Sequence, residues 1–93
     1  MGDEAELWRL AWTGEGRRSL RHVPPRVLPA VFSFAEERLA TNPFRVTHAL
    51  HAPLDGLRSA RVGSYRVLVE IDQSDSTVFI VRVAYHADVY RPL

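Results

Sequence analysis

Ninety-three residues with a formal net charge of +1 have room for one core, because a second would be too small to bury itself, so a single domain over residues 1–93 is expected. With 46% hydrophobic and 25% charged residues the composition excludes a disordered chain, and the lack of cysteine excludes a disulfide scaffold and a thiolate zinc site. No apolar run approaches the ~20 residues that span a bilayer, and the start Met1-Gly2-Asp3-Glu4 is acidic where a secretory signal would be basic, so a cytoplasmic protein without a membrane partner is expected.

Trp8, Leu10 and Trp12 alternate with Leu7, Arg9, Ala11 and Thr13, which predicts a first strand over 7–13. Gly14-Glu15-Gly16 reads as a turn; it lacks the third glycine and the Gly-Lys-Ser/Thr ending of a phosphate loop. Arg17 to Val23 suits a short helix with Leu20 and Val23 inward, stopped by Pro24-Pro25. From Arg26 to Ala40, Val27, Leu28, Val31, Ala35 and Leu39 recur three and four apart, the pattern of an amphipathic helix with Pro29 tolerated in its first turn. Thr41-Asn42-Pro43 ends it. Phe44 to Gly56 has no clear period and reads as an irregular connection with room for one short strand. His48 and His51 lack a third ligand or carboxylate nearby, so no metal site is assigned to them.

The second half is strand-rich. Leu57–Val62, Gly63-Ser64 and Tyr65–Ile71 form a hairpin signature, glycine first being the mark of a type II′ turn. Asp72–Ser76 is a second turn, Thr77–Tyr85 a third strand and His86–Leu93 a short tail. With Gly63-Ser64 as the turn, Val62 faces Tyr65, Arg61 faces Arg66 and Ala60 faces Val67. Pairing Ile71 with Thr77 then sets Val69 opposite Phe79, Val67 opposite Val81 and Tyr65 opposite Val83 on the core side. The other side receives Arg61, Arg66, Leu68, Glu70, Ile80, Arg82 and, if the strand continues, His86.

All 12 positive side chains are arginine and lysine is missing, a bias that a GC-rich coding sequence would also produce, so position has to carry the functional argument. Like charges directly opposite in a sheet cost roughly a few tenths to 1 kcal/mol per pair. The face is either solvated, with Glu70 offsetting part of the charge, or a cradle for a polyanion whose phosphates the guanidinium forks would hold. His86 and Tyr90 would add a group able to move a proton near neutrality and an aromatic able to stack on a base.

The run Asn42-Pro43-Phe44-Arg45 through His48-Ala49-Leu50, then Leu54-Asp55-Gly56-Leu57-Arg58-Ser59-Ala60-Arg61-Val62-Gly63-Ser64-Tyr65-Arg66-Val67, and finally Ala87-Asp88-Val89-Tyr90-Arg91 closely resembles bacterial toxins of the RelE branch of the RelE/ParE superfamily. The resemblance covers about the whole chain. It implies a small α+β domain in which an N-terminal strand and a helical hairpin pack on an antiparallel sheet with a C-terminal three-stranded meander. It also implies the toxin of a type II toxin–antitoxin system that cleaves messenger RNA on the ribosome and is held inactive by a cognate antitoxin, with no metal and no cofactor. Carried over by position, Arg66 contacts the scissile phosphate, Arg61 holds or activates the attacking ribose, and Tyr90 orients or stacks on the substrate. Ser59 and Arg82 are assigned to RNA binding.

Two departures stand out. Tyr85-His86 occupy the place where relatives usually carry His-Arg, which makes His86 the candidate general acid, and Val62 replaces what is commonly another arginine. Arg58, on the core side near an edge, is left out of the site. Two other readings remain open: a ParE-like toxin that poisons DNA gyrase without catalysis, and a degenerate toxin that only binds its antitoxin.

Overall fold

The structure, a computed structural model, describes residues 7–90; the acidic start and Arg91 of the terminal motif lie outside the described residues. Strand β1 (Arg9–Trp12) leads into helix α1 (Gly14–Ser19) and a single 3₁₀ turn (Leu20–His22). Helix α2 (Leu28–Phe34) continues into a π-helical turn (Ala35–Leu39), followed by β2 (His48–Ala49), β3 (Arg58–Val62), β4 (Tyr65–Asp72) and β5 (Thr77–Tyr85). The five strands form one sheet in the order β1-β5-β4-β3-β2. The sheet is mixed rather than antiparallel throughout, because β1 runs parallel to β5 while the meander and β2 pair antiparallel.

Helix α1 begins three residues earlier than its periodicity suggests, and the glycines read as a turn are its first residues. Thr13 makes the start: its Oγ1 accepts from the Gly16 N–H at 3.0 Å, a side-chain cap, while its own N–H donates to Ile80 O at 3.1 Å. Gly16 is needed for packing, since a Cβ there would lie 2.2 Å from Ile80 O. Ser19 Oγ then accepts from the Val83 N–H at 2.9 Å, so helix and strand are joined by polar contacts at close range.

In α2, Pro29 sits in the first turn, where its missing N–H has no helical partner in any case. Val31, Ala35 and Leu39 are buried from one face, and Ala40 N–H reaches back to Ala35 O at 3.0 Å, the widened bond of a π turn. These residues and Val23 meet Val67, Val69, Val78, Ile80 and Val83 of the sheet to form the core. Aromatic rings stay at its margin: Trp8 meets Phe44 and Trp12 meets Phe32 edge to face, with centroids 5.9 and 5.7 Å apart.

The β3–β4 hairpin has the expected register, and Gly63 at φ +60° with Ser64 outside the left-handed region fits the type II′ turn. The β4–β5 pairing differs from expectation. Asp72, not Ile71, faces Thr77; Val69 faces Ile80; Val67 faces Val83; and the register slips between Leu68 and Val69, leaving Val81 as the extra residue of a bulge. Val78 and Ile80 therefore enter the core in place of Phe79 and Val81. The face away from the helices is also only partly solvated. Leu68 is 4% exposed there, and the C-terminal turns bring Val89, 0% exposed, to a cleft with Leu68, Val81, Leu54 and Leu57. Among the described residues no helix is long and apolar enough to cross a membrane.

Candidate functional site: a basic cleft at the sheet edge

Because β2 is only two residues long, β3 outruns it toward the Gly63 turn, and Arg61 lies on this uncovered stretch. Arg61 and Arg66 are Cα partners on the sheet face away from the core. Both line a cleft of about 520 Å³ whose other walls are Phe34 and Arg38 of the second helix and Arg45, Val46 and His48 of the connection. Four guanidinium groups and one imidazole thus share a cavity, and among the described residues that line it there is no carboxylate. The ion pairs among the described residues are elsewhere, Arg9 with Asp75 and Arg82 with Glu15.

The two sheet arginines are each held by one hydrogen bond. Arg66 Nη1 donates to Ser59 Oγ at 3.3 Å, and Arg61 Nε donates to Gly63 O at 3.2 Å, which leaves most of their donors unclaimed by protein. Arg45 depends on Arg58. Arg58, on the core side as expected, donates from Nε to Thr47 Oγ1 at 2.7 Å and from Nη2 to Thr47 O at 3.0 Å, and its guanidinium lies 5.1 Å from the Phe44 ring centroid. Thr47 Oγ1 in turn donates to Pro43 O at 2.7 Å. The connection is thereby pinned against β3, with Arg45 and Val46 at the cleft.

The structure brings some of the assigned residues together and separates others. Ser59 is 2% exposed and sits behind Arg66 as its hydrogen-bond acceptor. Arg82 lies outside the basic cleft: its Nε donates to Glu15 Oε2 at 2.8 Å and its Nη1 to Val89 O at 2.8 Å, tying the first helix to the tail. Tyr90 is exposed and lines that neighbouring cleft with Glu15 and Arg82. His86 is exposed at the turn end of the hairpin, where its N–H donates to Ser64 O at 2.9 Å and its ring lies 4.5 Å from that of Tyr85. It stands two residues beyond Ala84, the Cα partner of Arg66. Arg38, Arg45 and His48 were missed. The only sequence signal for them was residue type, since the fold alone brings the second helix and the connection beside β3.

Such a cleft suits a phosphorylated polymer. Planar forks bind phosphate oxygens in pairs, and clustered like charges in a concavity raise the local concentration of anions.

The family model for the ParE toxin of type II toxin–antitoxin systems matches residues 14–90. Toxin RelG of Mycobacterium tuberculosis is 44% identical over 84 residues, covering 90% of this chain and 97% of that protein. Toxin RelE of the same organism is 34% identical over 84 residues, covering 90% and 87%. Among solved structures, the toxin–antitoxin complex RelBE2 from Mycobacterium tuberculosis contains a chain with 41% identity and a TM-score of 0.83, matched over 94% of this chain and 100% of that one. The isolated Escherichia coli RelE toxin shares the fold at 14% identity, with a TM-score of 0.68 over 84% and 83% of the two chains. The two helices packed on a five-stranded sheet and the matches along nearly the whole chain lead to one conclusion: this chain belongs to the RelE/ParE family, the toxins of type II toxin–antitoxin systems.

Proposed function

We propose that this chain, as a single domain over residues 1–93, is an endoribonuclease that cuts messenger RNA on the ribosome in the cytoplasm and stops translation. The observation that carries this reading is the facing pair Arg61–Arg66 in a cleft whose described walls are basic and apolar. In the reaction, a ribose 2′-hydroxyl attacks the adjacent phosphorus and gives up its proton to a base. The 5′-oxygen leaves with a proton from an acid, and a 2′,3′-cyclic phosphate remains. Arg66 stabilises the charge that builds on the phosphoryl oxygens, Arg61 holds the attacking ribose, and His86, in the turn just past β5, supplies the proton to the leaving oxygen. Tyr90 contacts the RNA farther along, Arg82 serves RNA binding by holding the tail that carries Tyr90, and Ser59 sets Arg66.

The partner of this chain is a cognate antitoxin, as RelB is for the RelE proteins with which it shares its fold. An acidic, partly helical segment that folds on binding would neutralise the arginine face. Affinity that falls with added salt supports that mode; salt-insensitive affinity points to an apolar groove.

Primer extension on messenger RNA after induction tests the main reading, with new 5′ ends expected on translated messages. Because the matching family model is that of the ParE toxin, a gyrase poison is the second reading. Growth arrest with uncut messages and gyrase trapped on broken DNA would favour it.

A further inference from the structure

The basic cleft is larger than cleavage at one phosphate requires. Arg61 and Arg66 on the sheet suffice to flank a single phosphodiester, yet Arg38 and Arg45 line the same 520 Å³ space from the opposite wall. Both are exposed, and among the described residues neither forms an ion pair with a carboxylate. Holding four unpaired guanidinium groups around one cavity disfavours the free protein, and a bound polyanion would relieve it. The wall is also mixed: Phe34 and Val46 give it an apolar side, which suits a nucleoside better than a bare inorganic anion.

From this arrangement we infer that Arg38 and Arg45 form a second phosphate subsite. It grips the RNA backbone one or more nucleotides from the scissile bond and directs the strand across the edge of β3 toward the second helix. The inference rests on the nuclease reading for the identity of the strand as RNA. It assigns to the π-helical end of the second helix and to the connection a binding role distinct from the chemistry at Arg66. The pinning of Thr47 by Arg58 serves this subsite, because it fixes the segment that carries Arg45.

The probe is a short single-stranded RNA with 2′-O-methyl sugars, which has no free 2′-hydroxyl and cannot be cut, titrated against the full chain by fluorescence anisotropy at several salt concentrations. For single strands each phosphate contact contributes about 0.7 to the slope of log K against log salt. R38A and R45A should each lower that slope by about 0.7 and weaken binding on the order of tenfold at low salt, with R38K and R45K restoring most of both. In ribosome-dependent cleavage they should raise KM with little change in kcat, whereas R66A lowers kcat. Unchanged affinity and slope in both alanine variants overturn the subsite, as does failure of the unmutated chain to bind the probe. Loss of affinity for the antitoxin with RNA affinity intact would reassign the cleft to the antitoxin and also overturns it. If the unmutated chain binds the probe through Arg38 and Arg45 but cuts no message, the subsite stands and the nuclease reading fails.

Discussion

Arg61 and Arg66 face one another across the β3–β4 hairpin, and among the described residues neither forms an ion pair with a carboxylate. Directly opposed like charges in a sheet are destabilising, so this pair works against the hairpin that displays it. Arg66→Ala should therefore leave stability unchanged within about 0.5 kcal/mol, while cleavage falls about 10²–10³-fold through loss of a charge-stabilising donor. Thermal melting and growth inhibition, measured on the same variant, check the two halves. Full toxicity in R66A would sink the catalytic assignment.

Gly16 and Gly14 should respond oppositely to alanine. A Cβ at Gly16 would meet Ile80 O, a backbone atom, at 2.2 Å, whereas one at Gly14 meets the flexible Arg18 guanidinium, whose Nη1 is 3.1 Å away. Gly16→Ala should cost about 2–3 kcal/mol, because the first helix must lift from β5. Gly14→Ala should be neutral or slightly stabilising. Urea unfolding midpoints of the two variants decide the matter, and equal midpoints would refute the close packing.

Arg82 ties three parts of the fold together, and its Nη2 lies 2.6 Å from Glu15 Oε2 with the two side chains 13% and 31% exposed. Arg82→Ala should cost about 2 kcal/mol, less than breaking a fully buried pair because Glu15 keeps some contact with water. The amides of residues 86–90 should also exchange faster, since the Val89 carbonyl loses its donor. Replacing both Arg82 and Glu15 by methionine should recover part of the loss. Unaltered exchange in the tail would show that its apolar contacts alone hold it.

Substitution at His86 tests the proton donor. An acid role predicts that H86A slows cleavage of an ordinary 5′-oxygen leaving group about 10²-fold or more, yet spares an RNA with a sulfur in that position, which leaves without needing a proton. H86R should restore part of the loss on the ordinary substrate. Equal losses on the two substrates would remove His86 from the chemistry.

Much of the fold is readable from residue pattern, and the exceptions have physical causes. Thr77–Tyr85 was delimited correctly, and the Gly63-Ser64 turn locked Arg61 opposite Arg66 because a two-residue hairpin allows one register. The bulge was invisible: Val78, Phe79, Ile80 and Val81 are all apolar, so no polar residue marks which alternation is buried. Once Val81 is the extra residue, both Ile80 and Val83 can face the core. The helix start at Gly14 was hidden for another reason, since glycine is a poor helix former, and the Thr13 cap and the close approach of Gly16 to Ile80 explain it here. The parallel pairing of β1 and the convergence of Arg38 and Arg45 on β3 are tertiary events without a local signature.

The edge-to-face rings at the core margin make this chain its own optical gauge. It has two tryptophans, at and just before β1, and each meets a different part of the molecule: Trp8 meets Phe44 of the connection, Trp12 meets Phe32 of the second helix. A Trp8→Phe variant leaves an emitter that senses the helix, and Trp12→Phe leaves one that senses the segment bearing Arg45. Near-ultraviolet dichroism and fluorescence of that pair of variants can then time the arrival of each wall of the basic cleft during refolding, without any label.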